Sequence, residues 1–265
     1  MVAADGGRLK LEWGTLRARS GDRVEDLLWW DGDRLAGFLG LYSFGAPAVE
    51  LAGMVDPERR RQGIATALVD AALPLCQERA YGPVLLVTAR TGAGGHEFAL
   101  ARGGVLDHSE HALELRRGPA EPSEATAPED DRLTIRAVDA ARDGTAVDDL
   151  LRAGFGWERP VGEAPSFRDG TLVVERDGEV VGTVSVARED LGGVGIYGFV
   201  VRPDLQGRGI GRGVLRRLVR QAVADGAGRV HLDVEVGNDR ALGLYTSVGF
   251  RPVATEDYYT LPTVA

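Results

Sequence analysis

The chain has a single cysteine, Cys76, so it can form neither an intrachain disulfide nor a cysteine-based zinc cluster, and no metal is expected. Lysine is nearly absent too: Lys10 stands alone, and arginine supplies the rest of the basic charge. No apolar run approaches the ~18 residues of a membrane-spanning helix. Residues 1–10 lack the apolar core of a secretory signal. These absences predict a cytoplasmic protein that makes no membrane contact. Basic charge is also outweighed: the net charge of -9 argues against a nucleic-acid partner, which would favour a basic face.

What remains is the composition of a globular protein. With 265 residues, 44% hydrophobic and 27% charged, the chain is long enough for one or two domains with ordinary cores. One stretch organises the rest. In residues 200–211 an apolar run ends at Pro203, three glycines follow within Gln206-Gly207-Arg208-Gly209-Ile210-Gly211, and apolar residues then recur at Ile210, Val214, Leu215, Leu218, Val219 and Ala222. That spacing predicts strand, tight loop, amphipathic helix. The first amides of such a helix have no intrahelical partner and converge on an anion. Residues 54–65 repeat the stretch 146 positions earlier, with Val55 matching Val201, Pro57 matching Pro203, Gly63 matching Gly209 and Ala65 matching Gly211. A period of that size means duplicated domains. Residues 117–131, with Pro119, Pro122 and Pro128, read as an extended linker between domains 1–116 and 132–265.

In the first half, residues 26–30 and 34–44 read as strands about the turn Asp31-Gly32-Asp33, and 49–55 and 84–88 as further strands. A helix over 64–79 should kink at Pro74, and the run Gly92-Ala93-Gly94-Gly95 is a poor helix start. In the second half, strands are expected at 133–137, 171–175, 180–187, 195–201 and 230–236, with two more closing at 250–253 and 258–261. Helices are expected at 146–153, 214–224 and 239–246, the last capped by Asn238. Strands and helices mix as α+β around a central sheet.

The two loops resemble the Q/R-x-x-G-x-G/A signature of the GCN5-related N-acetyltransferases (GNAT). Asn238-Asp239-Arg240-Ala241-Leu242-Gly243-Leu244-Tyr245-Thr246-Ser247-Val248-Gly249-Phe250 is similar to that family's N-x-x-A-x-x-x-Y-x-x-x-G-F run. The resemblance implies two tandem GNAT-like domains, each a mixed, mostly antiparallel sheet flanked by helices, the first incomplete. It also implies acetyl-CoA as cosubstrate and a primary amine of a small molecule as acceptor, in a monomer or homodimer. By resemblance, amides of Gly207, Arg208, Gly209, Ile210, Gly211 and Arg212, with Gln206 beside them, hold the pyrophosphate. Phe199, Val200 and Val201 offer main-chain groups to pantetheine, and Asn238 contacts the cosubstrate. Tyr245 protonates the departing thiolate. By spacing alone, Tyr245 reads as a core tyrosine on an apolar helix face, and Asn238 as a helix cap.

A general base is harder to place. The family often puts a glutamate on the strand at the position that is Gly195 here; Tyr197 follows on the same side, and Glu235 ends the neighbouring strand as the remaining candidate. His231 begins its strand, far from the loop end. In the first half no tyrosine matches Tyr245, Ala99 or Leu100 falling there, so this half is expected to be catalytically silent, with Arg61, Gly63 and Ala65 a second candidate site for CoA. An active second half behind a degenerate first half is similar to the mycothiol synthases of arginine-rich actinobacterial proteomes, which acetylate a cysteinyl-sugar amine. The missing glutamate at Gly195 speaks against that acceptor. A non-catalytic acyl-CoA-binding regulator is the alternative from another class, and Tyr245 speaks against it. The acceptor pocket is expected from residues 154–169, 188–193 and the final hairpin, with Trp157, Phe167 and Tyr197 as walls.

Overall fold

The computed structural model describes residues 13–44, 47–115, 130, 132–157, 164, 167–189 and 192–262. The expected linker 117–131 lies outside the described residues, apart from Asp130. The chain forms two compact units, residues 1–112 with 254–265, and residues 113–253. No described helix is long and apolar enough to cross a membrane.

In the first unit a short helix α1 (Trp13–Ala18) precedes strands β1 (Asp26–Asp31), β2 (Arg34–Tyr42) and β3 (Val49–Val55), helix α2 (Ile64–Glu78), strand β4 (Val84–Ala89) and helix α3 (Ala93–Ala101). Strands β1, β2 and β3 pair antiparallel, whereas β3 and β4 pair parallel over only three residues, Val49 to Leu51 with Val84 to Leu86. The next strand against β4 is the last in the sequence, β11 (Phe250–Thr260), whose Glu256 to Thr260 pair antiparallel with Ala89 to Leu85. Leu41, Val49, Leu51, Leu68, Ala72 and Tyr259 belong to its core. Helix α2 runs unbroken through Pro74, which is exposed, so the carbonyl it leaves unpaired is free to bond water. Helix α3 begins inside the glycine run, where no helix start was expected. The two closing strands expected at 250–253 and 258–261 are one strand, and no final hairpin exists.

The second unit holds the end of β5 (Val105–Leu115), then β6 (Leu133–Ala137), α4 (Ala140–Phe155), β7 (Thr171–Arg176), β8 (Glu179–Arg188), β9 (Gly193–Val201), α5 (Ile210–Ala224), β10 (Arg229–Glu235) and α6 (Asp239–Ser247). Strands β6 to β9 pair antiparallel in order, and β9 pairs parallel with β10. Val194, Ile196, Leu215, Leu232, Val234, Tyr245 and Phe250 pack together on the face that α5 and α6 cover. Helix α4 is twice the expected length because Asp139 caps it, accepting from the amides of Ala141 and Arg142, and Gly156 ends it in the left-handed region.

Inside that extra turn lies Asp143, a buried acid that interrupts the apolar pattern. Arg136 of β6 grips it with both terminal nitrogens, at 2.6 and 2.8 Å, and also reaches Glu175 of β7. The Arg136 hydrogen bonds hold the Asp143 carboxyl down at about 2. A depressed carboxylate stabilises the fold above its unfolded pKa, and that contribution fades as pH falls through the folded value. Asp143→Asn is expected to cost ~3 kcal/mol in urea unfolding at pH 7 by leaving Arg136 poorly paired. The difference from wild type should shrink between about pH 4 and pH 2.

The two glycine-loop copies share one backbone path. Each runs through a 3-10 turn, Pro57–Arg59 or Pro203–Leu205, into a glycine helix cap, Gly63 (φ 82°) or Gly209 (φ 84°). Two residues earlier the second unit has Gly207 at φ 78°, and the first has Arg61 forced to φ 63°. A side chain there costs ~1–2 kcal/mol, against roughly 0.5–1 for the greater freedom of an unfolded glycine. Arg61→Gly is therefore expected to raise stability by about 0.5 kcal/mol, read as a small upward shift of the urea midpoint.

Candidate active site

Strands β9 and β10 are joined only at Gly193, Val194 and Gly195 with Arg229, Val230 and His231. Beyond that last pair both strands continue, to Val201 and Glu235, without a mutual ladder. The sheet opens there as a wedge.

A bulge decides what β9 presents to it. The register with β8 shifts between Thr183 and Ser185, opposite Gly198 at φ 56°. Before the bulge Val194 and Ile196 face α5 and α6. After it the parity is reversed: Phe199 and Val201 lie 3.7 and 3.8 Å from where a Cβ on Gly211 would stand, while Val200 meets Gly154 of α4. The main chain reverses with it. Arg202 donates to the Val181 carbonyl of β8, so by alternation Phe199 and Val201 turn their own amides and carbonyls away from β8, toward the wedge.

At the loop, none of the amides of residues 207–212 meets a backbone acceptor among the described residues, and Gly209 offers no side-chain cap. Six donors at a helix N-terminus form an anion cradle. The Gln206 side-chain amide donates to the Val201 carbonyl at 2.8 Å, tying the loop to the strand end. Gly211 is small for a packing reason, since a Cβ would stand 3.3 Å from Leu244 of α6. Arg212 reaches Ser247 at 3.1 Å, and the Arg240 guanidinium lies over Gly207, 3.4 Å from its Cβ position. Arg240 escaped the sequence reading. Its only sequence signal is its place two residues past the Asn238 cap, and the close packing of α6 on the loop gives it meaning.

Tyr245 is 8% exposed in the α5–α6 core, edge-on to Phe250. Burial alone pushes its phenol up to about 12, with no hydrogen bond contributing. Asn238 caps α6, its oxygen accepting from the Ala241 amide at 3.0 Å, so its side-chain NH2 remains for other contacts. Glu235 is exposed at the end of β10. By alternation with Leu232 and Val234, it shares the opposite sheet face with His231 and Asp233.

In the first unit, the wedge beyond Leu51 and Leu86 and the loop of Arg61, Gly63 and Ala65 repeat this geometry. Ala99 takes the place of Tyr245 and packs in the core with Tyr259, whose hydroxyl lies 2.5 Å from His96 Nδ1. Glu97 stands 4.0 Å from Arg61, so this loop carries an acid where the other carries Arg240.

Comparison with known proteins agrees with this geometry. The description "Acetyltransferase (GNAT) family" matches the chain twice, over residues 6–103 and 145–250. A mycothiol acetyltransferase of Streptomyces avermitilis is 31% identical over 96% of this chain and 86% of its own length. One of Streptomyces griseus is 32% identical over 93% and 84%. Among solved structures, a GCN5-related N-acetyltransferase from Sphaerobacter thermophilus superposes with a TM-score of 0.76 at 20% identity, covering 99% of this chain and 90% of that one. A tandem GNAT protein from the clavulanic acid biosynthesis pathway gives 0.67 at 17%, covering 100% and 92%. A wedge beside an anion cradle, built twice, thus has its explanation: the chain belongs to the GNAT acetyltransferase family, in tandem arrangement.

Proposed function

We propose that the C-terminal half, residues 132–265, transfers the acetyl group of acetyl-CoA to a primary amine of a small molecule, with Tyr245 as the acid. Residues 1–116 serve as a non-catalytic half that retains a CoA-type loop at Arg61, Gly63 and Ala65. The observation that carries this reading is a neutral, buried phenol on the helix beside the cradle.

The residues fit the cosubstrate. Six unpartnered amides and three nearby guanidinium groups, those of Arg208, Arg212 and Arg240, match a polyphosphate in charge and donor count. Pantetheine carries amides that can bond to the wedge-facing main chain of Phe199 and Val201, as an added strand does. A β9 amide past the bulge polarises the thioester carbonyl, where negative charge develops as the amine attacks. The thioester supplies the activated acyl group. A phenol held near 12 stays protonated at neutral pH, so it can give its proton to a thiolate. Gln206 acts by position, fixing the end of β9. Asn238 orders the start of α6 and offers its NH2 to the cosubstrate, while Glu235 is the more remote candidate for proton transfer.

Similarity to mycothiol acetyltransferases over most of the chain supports, as the acceptor, the cysteinyl-sugar amine that the resemblance implies. It heads the assay panel despite Gly195, and the protein is expected to work in the cytoplasm as a monomer or homodimer.

Tyr245→Phe should lower kcat for thiol release from acetyl-CoA by ~10²-fold while leaving the acetyl-CoA KM within about threefold, since the phenol is needed only as the thiolate departs. Turnover equal to wild type would remove Tyr245 from the mechanism. In an ultraviolet titration the variant should lose one phenolate transition near pH 12.

A further inference from the structure

On the sheet face opposite Tyr245, the place of the absent glutamate is filled. The Tyr197 ring folds back over Gly195, and a Cβ there would stand 2.6 Å from Tyr197 Cζ. No larger residue fits at 195 while the ring lies there. Tyr197 in turn packs edge-on against His231, centroids 6.2 Å apart, with the Arg168 guanidinium 5.2 Å from its ring centre.

His231 is the last β10 residue paired with β9, so it stands where the wedge begins. It is 1% exposed. Its Nε2 lies 2.7 Å from Glu189 Oε1. A carboxylate can only accept, so Nε2 carries the hydrogen and the lone pair is left on Nδ1. Nδ1 is buried and has no partner among the described residues. A carboxylate that orients an imidazole, with the far nitrogen left as a free acceptor, is the arrangement of a general base. An orphaned buried acceptor is also costly to keep. Its retention here calls for a donor that arrives with the substrate.

We propose that His231, oriented by Glu189, receives the proton of the attacking amine through one bridging water, in place of the carboxylate that Gly195 lacks. This rests on the acetyl-transfer reading above. As the neutral amine attacks, the N–C bond forms and the C–S bond breaks. The amine proton passes through the water to His231 Nδ1, and the thiolate takes the Tyr245 proton. Solvent then carries a proton from the imidazolium to the tyrosinate, so the net transfer is from nitrogen to sulfur. The charged and titratable groups about the imidazole are Glu189 from the β8–β9 turn, Tyr197 of β9 with Arg168 stacked on it, and Asp233 along β10 on the same face.

The test uses the full chain with acetyl-CoA and a cysteinyl-sugar amine, backed by a panel of simple primary amines. His231→Gln should lower kcat by ~10²-fold at pH 7 and turn the plateau of the pH–rate profile into a continuous rise. The acetyl-CoA KM should stay within about twofold, and added imidazole should restore part of the rate. Glu189→Gln should lower kcat by roughly tenfold while leaving the acetyl-CoA KM within about twofold, because the imidazole loses the acceptor that fixes its tautomer. A wild type that acetylates no amine overturns the acetyl-transfer reading and this proposal together. An active wild type with His231→Gln unchanged overturns the base alone. If His231→Gln does not fold, an unchanged kcat in Glu189→Gln overturns it.

Discussion

The second unit is built about an interruption: two parallel strands that hydrogen-bond at three positions and then stop. A sheet interior without a partner leaves main-chain donors and acceptors that must be satisfied. Everything near the interruption serves that need. The bulge at Gly198 turns Phe199 and Val201 toward the opening, Gln206 occupies the Val201 carbonyl, and the loop presents its amides at the same end. In such a gap, an extended ligand with amides of its own behaves as a temporary strand.

The first unit retains this construction and differs in chemistry. Its strands β3 and β4 also pair three times and part, and its loop follows the same dihedral path even though Arg61 must adopt a left-handed conformation to do so. A backbone that keeps a strained geometry without the glycine that relieves it is held by its surroundings. No tyrosine stands on α3 at the place Tyr245 has on α6. Ala99 leaves room on α3, and Tyr259, supplied by the last strand of the chain, packs there against His96.

Buried charge marks the remaining specialised positions. Asp143 is sealed and fully engaged by Arg136, which makes it a structural clamp between β6 and α4. His231 is equally sealed yet only half engaged. The contrast separates a group that holds the fold together from one with bonding capacity to spare.

The sequence by itself determined the duplication, the family, the two loops and the pairing of Tyr245 with the second loop. These rest on local spacing, and a strand, a glycine cap and a 3.6-residue stripe are written in consecutive residues. What only the tertiary structure decided depends on residues far apart in the chain. The start of α4 at Ala140 needed a partner for Asp143. The joining of the two closing strands into β11 needed β4 as a template. The parity of Phe199 and Val201 turned on a bulge set by β8. Arg240 over the loop, Tyr197 over Gly195 and Glu189 against His231 are likewise contacts made across elements. No periodicity encodes them, because packing and backbone register fix which side chains meet.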